Sequence, residues 1–274
     1  YIKLSQFLEN SAAEVRDALV TLKQNPKMTN VILDLRGNGG GLLREAVDIV
    51  NLFVDKNQKI VSQKGKVKDM NIDYFASKTA VDTEIPLAVL VDRGSASASE
   101  IVTGSIQELD RGVIIGQRSF GKGLVQQTYN LSYNTLLKVT IAKYYTPSGR
   151  CIQALDYTHR NNDGSVSKFS DSLITEFKTK NGRSVFDGSG IFPDIYTDAD
   201  YYSPLAIALF SNYLIFDYAN KYAREHSSIA AAKDFTLSPT EYQEFVSFLS
   251  EKKYDYTDKT ERRIETILEI LFNY

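Results

Sequence analysis

Among 274 residues there are two histidines and a single cysteine. A zinc site ordinarily draws three or four ligands from His, Cys and acidic side chains, and a disulfide within the chain needs a second cysteine. The sequence therefore offers little for metal or imidazole chemistry, and neither a metal site nor a cofactor is expected. An excess of charge of either sign is missing too. With 32 basic and 34 acidic residues the formal net charge is −2, which gives no electrostatic ground for a nucleic-acid or anionic-membrane partner. Long apolar runs are also lacking. The richest stretch, residues 205–219, contains Ser211, Asn212 and Asp217 and is too short to span a bilayer, so it reads as a packed helix and no integral membrane segment is expected. What is there, 43% hydrophobic and 24% charged residues, suits a globular chain of about two units, or one α/β domain with an appendage.

A strand pattern over residues 1–7 starts at Tyr1 without a methionine, so the segment is expected to come from a longer polypeptide; it shows no signal peptide. Val15, Ala18, Leu19 and Leu22 share one helical face, which predicts a helix over Ser11–Lys23. Residues 31–35 form an apolar run broken only by Asp34; the cluster Gly37, Gly39, Gly40, Gly41 follows, and then a helical pattern over 42–53. Strand, small-residue turn and helix recur at residues 87–91, 94–99 and 100–109. Further strands are expected at 59–63 and 112–116, and as a pair at 124–129 and 136–142, while the lysine-rich stretch to Thr83 reads as a surface excursion. Residues 156–190 are polar and without period. From Ser203 onward the pattern is helical, over 205–221, 239–251 with Ser238 as N-cap, and 259–272. Strands alternating with helices, then helices alone, imply an α/β core with a helical C-terminal extension.

Three motifs point to ligands, and each departs from its pattern. Gly37 and Gly39 after a strand suggest a dinucleotide fingerprint, but Leu42 stands where the third glycine belongs and residues 59–67 carry no acid for a ribose. Residues 116–122 match G-x-x-x-x-G-K. Gly123 then replaces the Ser or Thr that holds magnesium, and a strand rather than a helix follows, so ATP binding is not expected. His159-Arg160-Asn161-Asn162-Asp163-Gly164 resembles the start of a calcium loop, yet the first ligand is His and the twelfth position is Ser170, which leaves a solvated loop. His226 falls near a helix end.

The run Gly94-Ser95-Ala96-Ser97-Ala98-Ser99-Glu100 is different. Its plain reading is a capping box, Ser97 with Glu100. Its chemical reading is a serine hydroxyl at a helix mouth, beside a free amide and the positive end of the helix dipole. A serine needs a base, and neither histidine sits in a motif. An amine serves only when desolvation lowers its pKa from about 10.4 toward neutrality. Lys122, between Gly121 and Gly123 and flanked by Phe120 and Leu124, is the lysine best situated for that.

Four blocks, Leu33-Asp34-Leu35-Arg36-Gly37-Asn38-Gly39-Gly40-Gly41, the run around Ser97, Ser119-Phe120-Gly121-Lys122-Gly123-Leu124-Val125-Gln126 and Lys143-Tyr144-Tyr145-Thr146-Pro147-Ser148-Gly149-Arg150, together resemble the carboxyl-terminal processing (tail-specific) proteases of peptidase family S41. Ile191-Phe192-Pro193-Asp194 resembles a fifth, weaker block. The resemblance covers about the first 150 residues, in the family's order. It implies a serine endopeptidase with a Ser-Lys dyad: Ser97 as nucleophile, Lys122 as general base 25 residues later (122 minus 97), Gln126 holding the amine, and the amides of Gly39 and Ala98 as oxyanion donors, with Gly40 adjacent and equally bare. Strand alternation sets 122, 124 and 126 on one face. The implied fold is a ClpP/crotonase-like core of ββα units over residues 1–200, with a helical extension over 201–274. The PDZ domain that family members carry before this segment is not seen. Polypeptides cleaved at or near C-terminal or unstructured segments are the implied substrates, with a periplasmic or envelope setting in a bacterium and room for a homo-oligomer. The alternative on the same fold is a catalytically latent peptide-binding or scaffolding domain; an acyl-CoA enzyme of the crotonase type would share only the fold.

Overall fold

The computed structural model describes residues 1–168, 174–199 and 202–256. It divides into two compact units, Tyr1–Asp198 and Ala199–Tyr274. In the first unit the order is β1 (Ile2–Lys3), α1 (Ser11–Lys23), β2 (Val31–Asp34), α2 (Leu43–Asn51), β3 (Lys59–Gly65), β4 (Ile72–Phe75), β5 (Leu87–Val91), α3 (Ala98–Glu108), β6 (Val113–Gly116), β7 (Leu124–Asn130), β8 (Leu136–Tyr145), β9 (Leu155–Arg160), β10 (Val166–Lys168), β11 (Glu176–Lys178), β12 (Ser184–Phe186) and β13 (Ile195–Tyr196).

Two sheets carry the core. Five strands in the order β1-β2-β5-β6-β13 pair in parallel throughout, with Leu33 opposite Ile2 on one side and Val89 on the other. Strands β2 and β5 carry apolar residues on both faces, as parallel strands commonly do, and so read as short apolar runs rather than alternating ones; one face is fully buried, while on the other Ala88 and Leu90 are half-buried and Ile32 is exposed. The second sheet, β4-β3-β8-β7, is antiparallel. Helix α3 lies between them, and every one of its residues from Ala98 to Glu108 is buried. A helix buried all round must satisfy each of its polar side chains internally. Here Ser99 Oγ donates to Asn38 O, Thr103 Oγ1 to Ser99 O, Ser105 Oγ to Ile60 O and Gln107 Nε2 to Phe192 O, at 2.7 to 2.9 Å. Glu108 accepts from the fully buried Arg150 Nε at 2.7 Å and from Ser148 N at 2.7 Å. The Thr-Pro-Ser-Gly-Arg block is thus a structural brace on the far end of α3.

Several expectations change. The strand over 1–7 is only Ile2–Lys3 plus a single bridge from Phe7 to Gly41; Leu4 N still donates to Asp34 O at 3.1 Å, and Ser5 and Gln6 then leave the ladder beside the glycine turn. The lysine-rich stretch is not all surface excursion: β4 pairs there with β3. Residues 156–190 hold two hairpins, β9-β10 and β11-β12. The supposed calcium loop is the turn of the first, closed by Asn161 N to Ser165 O at 2.9 Å; the His159 side chain and Ser170 lie outside the described residues.

The second unit, taken by itself, has α4 (Pro204–Ser211), α5 (Leu214–Glu225) and α6 (Pro239–Ser250). The helix expected over 205–221 breaks because Tyr213 adopts a left-handed conformation, φ 58°. Ser203 and Ser238 cap α4 and α6, each followed by proline at the first helical position. Leu209, Leu214 and Leu249 form a small core, and Tyr218 packs its ring against Phe245 and Phe248 at 4.9 and 5.4 Å. His226 stands at the C-cap of α5, its ring stacked on Tyr222 at 3.7 Å. The helix expected over 259–272 lies outside the described residues.

Candidate active site

Three turns meet where β2 and β5 end and β7 begins, the position at which parallel α/β sheets offer their crevices. The first turn leaves β2 at Asp34. Its buried carboxylate accepts the Arg36 amide at 3.0 Å, the Arg36 guanidinium at 3.0 and 2.8 Å, and the Tyr1 hydroxyl at 2.5 Å. Burial pushes the Asp34 pKa up, but the hydrogen bonds from Arg36 and Tyr1 outweigh it and hold the group at about 2. Asn38 then acts as a hub. Its Oδ1 accepts from Gly40 N at 2.9 Å, its Nδ2 donates to Leu4 O at 2.7 Å, and its carbonyl takes Ala96 N and Ser99 Oγ at 3.0 and 2.9 Å.

The second turn leaves β5 at Asp92, whose Oδ1 accepts from Gly37, Gly94 and Ser95 amides at 2.9 to 3.1 Å. Ser95 Oγ donates to Leu35 O at 2.8 Å, so the two turns are sewn together. This turn ends at Ser97, the N-cap of α3, with φ 57° and ψ −112°. A non-glycine residue held there stores roughly 1–3 kcal/mol of strain. Gly40 fits directly against it: a Cβ on Gly40 would stand 2.6 Å from Ala96 O, 2.7 Å from Ser97 Cβ and 2.9 Å from Ala98 N.

The third turn, residues 119–123, hangs on Glu100. One oxygen of this fully buried carboxylate accepts from Ser119 Oγ at 2.6 Å and Gly121 N at 2.7 Å; the other accepts from Ser97 N at 2.8 Å and Lys122 N at 2.9 Å. Burial pushes the Glu100 pKa up, opposed by all four donors. Opposite it, the Tyr144 hydroxyl lies 2.7 Å from Lys122 O and 3.1 Å from Ser97 O.

The turns enclose a cleft of about 500 Å³ whose lining includes Gly39, Gly40, Ser97, Lys122, Leu124 and Gln126. Four of the five residues singled out in the sequence thus share one cleft, and Ala98 is buried immediately behind Ser97. Ser97 and Lys122 are half-buried and Gln126 is exposed. Among the described residues no direct hydrogen bond joins Lys122 Nζ to Ser97 Oγ or to Gln126; such contacts commonly close only around a substrate. Phe120 does not shield the lysine as its place in the sequence suggests, being 54% exposed and lining a different cleft. The two adjacent glycines also separate. Gly40 N–H is taken by Asn38, whereas the amides of Gly39 and Ala98 donate no hydrogen bond among the described residues. Asn38, Asp92 and Tyr144 escape single-sequence reading as functional groups; Asn38-Gly-Gly and Asp92-x-Gly-Ser carry a local signal, that of an Asx turn.

The profile described as peptidase family S41 matches residues 1–159, more than half of the chain. The chain belongs to peptidase family S41. A second profile, described as "Probable PDZ-protease, C-terminal helical domain", matches residues 205–272. This S41 chain is 40% identical over 161 residues to the carboxy-terminal-processing protease of Bartonella bacilliformis, covering 58% of this chain and 37% of that protein. It is 40% identical over 157 residues to the carboxyl-terminal-processing protease of Synechocystis sp., covering 57% and 35%. The structure of a photosystem II D1 C-terminal processing protease superposes with a TM-score of 0.52 at 29% identity, over 72% of this chain and 41% of that one. The S41 chain thus spans a little over a third of the length of these two curated relatives.

Proposed function

We propose that this S41 chain is a serine endopeptidase that cleaves polypeptides at or near C-terminal or unstructured segments through a Ser97–Lys122 dyad. The observation that carries the reading is the convergence on one cleft of a strained serine, a half-buried lysine and Gly39, with the Gly39 and Ala98 amides left without acceptors among the described residues. The Lys122 amine takes the Ser97 proton as Oγ attacks the scissile carbonyl. The amides of Gly39 and Ala98 receive the developing oxyanion. The Lys122 ammonium so formed then protonates the leaving nitrogen, and water, deprotonated in its turn by Lys122, hydrolyses the acyl-enzyme while that proton returns to Ser97 Oγ. Gln126, on the same cleft wall, orients the amine. Names of relatives support the substrate class, since these proteins are called carboxy-terminal-processing proteases. A periplasmic or envelope setting belongs to the same reading and rests on the family resemblance; cell fractionation tests it.

The missing contact between Lys122 Nζ and Ser97 Oγ is what a latent, peptide-binding domain would also display. Degradation of an unstructured fluorogenic polypeptide separates the two. Turnover abolished by Ser97→Ala and by Lys122→Ala, with melting temperatures kept, is the expected result, and Lys122→Arg should fail as well because guanidinium does not deprotonate. Turnover retained by Ser97→Ala refutes the dyad; binding without turnover in the wild type selects the latent domain.

A further inference from the structure

Ser97 and Lys122 belong to different turns, and no side-chain contact between them fixes their spacing. Their main chains do. The N–H groups of both residues end on one carboxylate oxygen, Glu100 Oε2, at 2.8 and 2.9 Å. The carbonyls of both end on one hydroxyl, Tyr144 Oη, at 3.1 and 2.7 Å. All four backbone polar groups of the pair are therefore met by two side chains, Glu100 through an acceptor oxygen and Tyr144 through a single O–H shared between the two carbonyls, with the shorter contact to Lys122 O. Both side chains are buried, Glu100 completely and Tyr144 to 1% exposure.

The chemistry of the two grips fits rigid positioning. Glu100 receives four donors, so none of its accepting capacity is left for solvent or substrate. Burial, with the Glu100 charge nearby, pushes the Tyr144 phenol well above its ordinary pKa, which keeps the hydroxyl a donor. The two carbonyls differ in how much they depend on Tyr144. Ser97 O also accepts from Glu100 N and Ile101 N at 2.8 and 3.0 Å, whereas Lys122 O has Tyr144 as its sole partner among the described residues. Removing the hydroxyl should release the lysine turn and leave the serine turn in place.

We propose that Glu100 and Tyr144 form a clamp that sets the distance and orientation of Lys122 relative to Ser97, with the Tyr144 hydroxyl as a positioning residue for proton transfer between them. The proposal rests on the reading of Ser97 and Lys122 as nucleophile and base. Neither clamp residue lines the cleft, so substrate binding should not sense it.

The test is Tyr144→Phe in the full chain, which keeps the ring and deletes only the hydroxyl, read by steady-state turnover of an unstructured fluorogenic polypeptide and by thermal melting. The expected result is a kcat lower by about 10- to 100-fold, on the scale set by sub-ångström to 1 Å misplacement of a reacting group, with KM within about twofold and an almost unchanged melting temperature. Glu100→Gln, which turns one acceptor into a donor facing two donors, should lower kcat further at similar KM, and it carries the test if Tyr144→Phe does not fold. A Tyr144→Phe kcat within threefold of wild type overturns the clamp, as does a loss shared equally by kcat, KM and melting temperature. Wild-type turnover insensitive to Ser97→Ala overturns the dyad reading instead, and the two failures are read from different variants.

Discussion

Gly39 and Gly40 are neighbours of the same type in one glycine cluster, and the structure predicts opposite outcomes when each becomes alanine. At Gly39 an added Cβ meets nothing within 4 Å, and the backbone is not in the left-handed region. At Gly40, φ is +97° and the added Cβ falls 2.6 Å from Ala96 O, 2.7 Å from Ser97 Cβ and 2.9 Å from Ala98 N. Contacts of that kind normally lie beyond 3.4 Å, so the glycine turn and the serine turn must separate by about half an ångström or more. A positive φ costs an alanine roughly 1–2 kcal/mol, and overpacking adds roughly 1–3 kcal/mol. Gly40→Ala should therefore lose about 2–5 kcal/mol of stability.

The functional consequence follows from where the clash falls. The atoms displaced are the Cβ of the proposed nucleophile and the amide nitrogen of the proposed oxyanion donor. A displacement approaching 1 Å at such atoms costs on the order of 100-fold in rate. Urea unfolding and kcat/KM for an unstructured fluorogenic polypeptide should show Gly40→Ala both destabilised and slowed about 100-fold, while Gly39→Ala stays within roughly 0.5 kcal/mol of wild type. Equal stability of the two variants, or a Gly40→Ala activity within threefold of wild type, would refute the reasoning.

Two further outcomes concern the frame around the cleft. The Asp34 carboxyl, held at about 2 against an ordinary 3.8, is depressed in the folded state, so its contribution is present above the ordinary value and is lost as pH falls toward 2. Asp34→Asn should lose about 2 kcal/mol at neutral pH, and the gap to wild type should close between pH 4 and pH 2; a gap that is constant over that range counts against it. Glu108→Ala leaves the buried Arg150 guanidinium without its carboxylate, and a loss of about 3–5 kcal/mol in denaturant unfolding is expected. A loss below 1 kcal/mol would show that Arg150 finds compensation from Gln107 Oε1 and Phe186 O, its other acceptors.

What the sequence discloses and what it withholds divide along the range of the interactions involved. Helix α1 and strand β5 are legible to the residue because each is decided locally, one by a 3.6-residue apolar period and the other by five apolar residues between Pro86 and Asp92. Strand β4 is hidden because Ile72-Asp73-Tyr74-Phe75 has little apolar pattern, and only pairing with β3 makes it a strand. The break between α4 and α5 is hidden for the opposite reason: the apolar composition continues through it, and a single left-handed residue, Tyr213, turns the chain. At the candidate site, Ser97 and Lys122 are found through their motifs. Asn38 and Tyr144 stand inside motif blocks, but their roles are hidden, since their partners lie up to 61 residues away for Asn38 and 47 for Tyr144. Nor does the sequence distinguish the Gly39 amide from that of Gly40; the distinction is made by which of the two Asn38 accepts.

The strain at Ser97 and the burial of α3 are one feature seen from two sides. A serine at φ 57° would relax if the first turn of α3 could rotate or slide. It cannot slide cheaply, because buried polar side chains along α3 are bonded to several different neighbouring segments, to Asn38 through Ser99, to Ile60 through Ser105, to Phe192 through Gln107 and to Arg150 through Glu108. Relaxation at Ser97 itself would disturb the bonds from its amide to Glu100 and from Tyr144 to its carbonyl, and would loosen the bond from Ala96 N to Asn38 O. Losing either of the two amide bonds leaves a buried N–H unsatisfied at a cost of about 1–3 kcal/mol, whereas Ser97 O keeps its bonds from Glu100 N and Ile101 N. Together the two amides come to about 2–6 kcal/mol, which offsets the roughly 1–3 kcal/mol that relaxation would recover. The strained serine is thus the lower-energy choice given a helix fixed along its whole length, and loosening either end of α3 is a route to losing the geometry at Ser97 without touching the cleft.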